Sequence, residues 1–284
     1  MDKKNIILIP IDFSEESIVA IKYAKLTAPM FNANIHLIHV IESKNPILQL
    51  ISDDDKSIIR EKIIKKINTI IKDYLSEDII NTSFSIENGN LIESILKTQR
   101  ALDAKLIIVG TTGSKDIRKK IIGSNALRII REAECPVISI KSKNSIKSIT
   151  KIVLPLDTSK VTTQKVEHGI FFAKYFNAKV HLVSVETGDN FIESDTAIQQ
   201  LEATANHFSK QDIPCTIKLL KAPTSSSKMA KVILEYTYKQ QANLIMIMTS
   251  EESGKKQFDV GSLAKEIIHK ANIPVFSITP KPMF

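Results

Sequence analysis

The chain has no tryptophan, two cysteines and eight glycines in 284 residues. Each shortage removes a class of protein. Cys135 and Cys215 stand apart, in neither metal-ligand nor redox spacing, so a disulfide scaffold, a zinc module and a dithiol catalyst are all excluded. They read as ordinary thiols of a reducing compartment. No apolar run approaches the roughly 20 residues that cross a bilayer. Met1-Asp2-Lys3-Lys4-Asn5 leads straight into a strand-like run with no signal-peptide pattern, so the expectation is a cytoplasmic protein with no membrane association. Aromatic residues make up 6% of the chain. The formal charge of +8 therefore lacks the aromatic platform that single-stranded nucleic acid needs. Its lysines lie scattered on polar helix faces, as at Lys62, Lys65 and Lys66, and specific nucleic-acid binding is not expected.

Catalytic constellations are also missing. Ser14, Ser124 and Ser262 have no His and Asp arrangement beside them that would make a nucleophile. His39, His168, His207 and His269 show no ligand spacing with acids or cysteines. No Walker-type Gly-Lys-Ser/Thr occurs. The first strand is followed by Asp12-Phe13-Ser14, without the His-x-x-His or Ser-Gly-Gly signatures of nucleotidyl-transferring and pyrophosphatase enzymes.

What is present is a repeat. Ile9-Pro10-Ile11-Asp12 returns as Leu154-Pro155-Leu156-Asp157, an offset of 145. Phe31-Asn32-Ala33 returns as Phe176-Asn177-Ala178 at the same offset, and His36 and His181 become equivalent strand residues with a structural role. Cys135-Pro136-Val137 matches Ile273-Pro274-Val275 at an offset of 138, so the second copy has lost seven residues in between (145 − 138 = 7). Two copies of one domain account for this, at 1–143 and 149–284, joined by the polar segment 141–148. In the first copy, Ile- and Val-rich runs suggest strands near 5–11, 34–41, 80–87, 105–110 and 136–140. Helical patterns lie near 15–30, 53–75, 90–103 and 124–133. Continuous apolar strands alternating with helices predict an α/β fold, with a parallel sheet covered on both faces. In such a sheet the ligand crevice lies beyond the carboxyl ends of the strands, where their order reverses.

The eight glycines are unevenly placed. Three of them, Gly110, Gly113 and Gly123, fall in one segment between the run Leu106-Ile107-Ile108-Val109 and a helical pattern. Glycines there let backbone N–H groups approach an anion, and Ser124 and Asn125 would start a helix whose dipole favours negative charge. Asp12, at the end of the first strand, offers a carboxylate to ribose or adenine, and it is equally suited to capping the helix that starts near Ser14.

The pattern Gly110-x2-Gly113-x9-Gly123-Ser124, together with Pro10-x-Asp12-Phe13-Ser14 and Cys135-Pro136-Val137, resembles the universal stress protein family, in two tandem copies. The resemblance implies an open five-stranded parallel sheet of order 3-2-1-4-5 in each domain. It implies ATP or a related adenine nucleotide, with Mg²⁺, in the first. Pro10, Ile11, Asp12 and Val40 would face adenine and ribose. Val109, Gly110 and Gly113 would flank ribose and phosphates, and Gly123, Ser124 and Asn125 would hold the phosphates. It also implies pairing of the domains through their last strands, a homodimer, and a regulatory protein partner whose identity the sequence does not reveal.

The second copy departs from the motif. Met248 stands where Gly110 stands, and Glu251 where Gly113 stands. A carboxylate ~4 Å from a phosphate costs about 4 kcal/mol at an effective dielectric of ~20. Asp157, Gly261 and Ser262 remain as caps and turns. The expected function is therefore a stress-response regulator that binds nucleotide in its first domain, with no turnover or only slow hydrolysis. The competing reading is a nucleotide-free scaffold of the same fold.

Overall fold

The computed structural model describes residues 4–42, 52–75, 81–111, 123–141, 147–156, 162–187, 191–249 and 260–280. The chain divides into two compact units, Met1–Ser145 and Ile146–Phe284.

The first unit contains β1 (Asn5–Pro10), α1 (Glu15–Thr27), β2 (Ala33–Glu42), α2 (Asp53–Leu75), β3 (Thr82–Gly89), α3 (Leu91–Ala101), β4 (Leu106–Gly110), α4 (Ser124–Glu132) and β5 (Val137–Ile140). Its strands lie in the order β3-β2-β1-β4-β5, all parallel. This is the expected order. Ile7, Leu8 and Ile9 are fully buried in succession, as are Leu106, Ile107 and Ile108, so helices cover both faces of the central strands.

Local chemistry sets the element ends. Ser14 caps α1, its Oγ accepting the Ser17 N–H at 3.2 Å. The pattern predicts this helix as far as residue 30, but it stops at Thr27. Pro29 has no N–H to offer the carbonyl four residues back. The next pattern predicts a helix from residue 90, yet Asn90 is the cap: its Oδ1 accepts the N–H groups of Ile92 and Glu93. That leaves β3 free to run on to Gly89, whose φ of +139° suits glycine.

The second unit repeats the plan with β6 (Lys151–Pro155), α5 (Thr162–Phe176), β7 (Lys179–Glu186), α6 (Phe191–Ser209), β8 (Cys215–Lys221), α7 (Ser226–Lys239), β9 (Leu244–Met248), α8 (Ser262–Lys270) and β10 (Val275–Ile278). Its order is β8-β7-β6-β9-β10, again parallel. Its core is more aromatic: Phe172 and Phe276 meet edge to face at 5.1 Å. Gly169 makes room for Phe208, because a Cβ there would lie 3.2 Å from its ring.

The repeat-equivalent histidines do the same structural job. His36 joins β2 to β3 through Ser83 (2.8 Å) and Ser85 (3.1 Å). His181 joins β7 to β8 through Thr216 at 2.8 Å. Burial lowers both pKa values; the Glu87 charge opposes the shift at His36, and Lys179 and Lys151 add to it at His181. A depressed pKa favours the neutral ring in the folded state, so stability is present above the unfolded value of about 6.5 and is lost as pH falls below it. Urea unfolding should therefore show the midpoint dropping between pH 7.5 and pH 5. The doubly substituted His36→Asn, His181→Asn protein should lose less over that range. Parallel profiles would contradict the assignment.

Candidate functional site

The strand order reverses between β1 and β4, and Pro10, Ile11, Asp12, Val109 and Gly110 lie at the carboxyl ends of these two strands. At the end of β1, Ile11 donates its N–H to the Ile38 carbonyl at 2.9 Å, and the ladder with β2 ends there. Bonds of a parallel ladder leave a strand alternately to either side. Two residues on, Val40 therefore turns its N–H and carbonyl toward β1, past the last rung.

Asp12 is exposed, and its Oδ1 accepts both the N–H (3.0 Å) and the Oγ–H (2.5 Å) of Ser14. The carboxylate thus braces the residue that caps α1. Capping itself falls to Ser14, and Asp12 keeps its exposure to the crevice.

Across the crevice, Gly110 ends β4 against the first turn of α1. A Cβ on Gly110 would lie 2.9 Å from the Glu16 Cβ and 3.0 Å from the Glu16 carbonyl carbon. The absence of a side chain here has a cause inside the fold: it lets α1 approach the strand. Thr111 follows, buried, with its N–H (2.9 Å) and Oγ1 (3.2 Å) both directed to the Ile140 carbonyl. Its own carbonyl accepts the Gly123 N–H at 3.0 Å. Gly123 is consequently occupied as a donor, contrary to the expectation that its N–H faces a phosphate. The donors left for an anion belong to Ser124 and Asn125, both exposed, in the first turn of α4, which no side chain among the described residues caps. Pro10 and Val109 form the strand ends between these groups. Gly113 lies outside the described residues, as do Asp157, Glu251 and Glu252.

Thr111 was not among the residues picked out as functional. Its signal was the repeat: Thr249 stands 138 residues on, with the same bonds to Ile278 and the same acceptance of the Gly261 N–H, here at 2.6 Å. The second unit thus keeps the tether and changes what surrounds it. Met248 replaces the glycine. Lys165, where the first unit has Ala20, is buried and gives its ammonium to the Pro155 carbonyl at the end of β6.

The remaining candidates are structural. Burial pushes the Cys215 thiol up to about 11, so it is protonated at neutral pH. Among the described residues no group of three His, Cys, Asp or Glu could hold a metal, and no helix is long and apolar enough to cross a membrane.

A profile described as the universal stress protein family matches residues 4–141 and 148–278. The chain belongs to this family. It carries two of the family's domains in tandem. Two universal stress proteins of Methanocaldococcus jannaschii are similar to parts of it. MJ0531 is 28% identical over 142 residues, which is 48% of this chain and 81% of that protein. MJ0577 is 24% identical over 160 residues, which is 49% of this chain and 96% of that protein. A universal stress protein from Archaeoglobus fulgidus shares the fold over 98% of this chain and 97% of its own, at a TM-score of 0.75 and 20% identity.

The two glycines can be told apart by substitution. Gly110→Ala forces backbone to move and should destabilise the protein by about 1–3 kcal/mol in urea unfolding. Gly123 has a φ of −60°, and among the described residues its Cβ would meet only the Thr111 carbonyl oxygen, at 3.5 Å. Gly123→Ala should therefore stay within about 0.5 kcal/mol of the parent. Equal losses would contradict the packing account of Gly110.

Proposed function

We propose that the first unit binds an adenine nucleotide, and that the protein acts as a non-catalytic, nucleotide-responsive regulator in the stress response. The single observation that carries this reading is the pairing of an open backbone edge at Val40 with the first-turn N–H groups of α4 at Ser124, which no side chain among the described residues caps, in one crevice at the sheet's reversal point. Val40 presents a donor beside an acceptor. Adenine carries the complement, a ring-nitrogen acceptor beside an amino donor, whereas guanine carries the opposite pattern. Asp12 stands between the two groups, where its carboxylate can accept from ribose hydroxyls. The α4 N-terminus supplies the Ser124 and Asn125 N–H groups and the positive end of the helix dipole to the phosphates. Mg²⁺ would arrive on the phosphates, since no carboxylate cage stands near among the described residues.

Binding rather than turnover is the role these groups fit. The Asp12 carboxylate braces the Ser14 turn through Oδ1, which accepts two hydrogen bonds there. A scaffold reading draws on one observation of its own: the fold explains Gly110 without any ligand.

Ser124→Asp separates the two readings. An acidic residue in the first turn favours the helix by about 0.3–1 kcal/mol and repels a phosphate at the same place. Millimolar Mg-ATP should raise the thermal midpoint of the parent protein, because a ligand bound only by the native state stabilises it. GTP should raise it less. Ser124→Asp should match or exceed the parent without ligand and lose most of the ATP shift. No ATP shift in the parent would remove the nucleotide reading and leave the scaffold.

A further inference from the structure

We infer that His39 is a positioning residue for Asp12, gripping the chain on both sides of it; this role rests on the nucleotide reading above.

His39 lies half-buried on β2, one residue before Val40. Its Nδ1 is 2.8 Å from the Ile11 carbonyl oxygen. A carbonyl only accepts, so Nδ1 carries the hydrogen and the tautomer is fixed. The imidazole also stacks on Phe13, with ring centroids 4.8 Å apart and planes tilted by 34°. Ile11 and Phe13 are the two neighbours of Asp12. One side chain therefore fixes the carbonyl before the carboxylate-bearing residue and the ring after it.

The turn needs such a grip. Phe13 has a φ of +64°, a left-handed conformation that bulky L-residues rarely adopt and that persists only where the surroundings enforce it. The Lys66 ammonium of α2, 4.4 Å from the Phe13 ring centroid, adds a second hold. Within the turn, Ser14 then fixes the carboxylate oxygen itself. The result is a carboxylate aimed before any ligand arrives, with the ordering cost met by the fold.

The second unit supplies an internal comparison. At the offset of 145 its counterpart of His39 is Ser184, which has no ring to stack and too short a reach to copy the imidazole. The first-strand end there is held by another device, the Lys165 ammonium on the Pro155 carbonyl. The histidine grip belongs to the unit with the intact glycine segment. Because serine occupies the same strand position in a folded copy of this domain, His39→Ser is compatible with the fold.

A double-mutant cycle on the full chain tests the role, with ATP affinity measured by calorimetry for the parent, His39→Ser, Asp12→Asn and the double variant. A residue that acts through Asp12 should weaken ATP by about five- to tenfold on its own and add almost nothing once Asp12 is neutralised. In the ligand-free protein, the Ser14 amide, held by the Asp12 carboxylate, should exchange with deuterium faster in His39→Ser than in the parent. Multiplicative losses in the cycle, or unchanged ATP affinity in His39→Ser, would overturn the positioning role alone. A parent that binds no ATP would overturn the nucleotide reading and this role together.

Discussion

The candidate site depends on the tether at Thr111. A buried threonine follows the last residue of β4, donates twice to the Ile140 carbonyl, and accepts the Gly123 N–H. This fixes the start of α4 at the end of β4, the neighbour of β1 in the sheet. Without it, the backbone donors of Ser124 and Asn125 would have no defined relation to Asp12 and Val40. The same three bonds recur at Thr249, so the tether belongs to the fold that both units share.

Function then turns on what each unit builds around that common point. The first unit brings α1 against a bare Gly110, braces Asp12 through Ser14 and sets His39 behind the turn. The second places Met248 at the glycine position and buries the Lys165 ammonium under the end of β6. A buried lysine and a methionine thus stand in the second unit where the first has Ala20 and Gly110, while the sheet stays intact. A tandem protein can in this way keep two copies of a scaffold and diversify only one mouth.

Much of the fold was legible because the physics behind it is local. Ile-rich runs buried on both faces, alternating with helical patterns, fixed the class, and the repeat offset aligned the two copies. The ends of elements were harder to place, since they depend on single groups such as the Asn90 side chain or the missing Pro29 N–H. In the candidate site, glycine spacing singled out a segment whose described glycines also have causes inside the fold. Gly110 is bare to admit α1, and Gly123 uses its N–H on Thr111, facts that need a third dimension. Thr111 escaped notice, and His39 was set aside for its lack of ligand spacing, for a related reason. A threonine after a strand and a histidine within one carry no local signature, and their partners lie 29 and 28 residues away.

The central claim is that one crevice, that of the first unit, holds an adenine nucleotide between the Val40 edge and the start of α4. Amide chemical shifts of the isotope-labelled full chain, followed through an ATP titration, test it most directly. The account predicts saturable shifts at Val40, Ser124 and Asn125, with the matching amides of the second unit, at Val185, Ser262 and Leu263, left in place. Shifts that leave Val40 and Ser124 untouched, or that fall equally on both units, would contradict it.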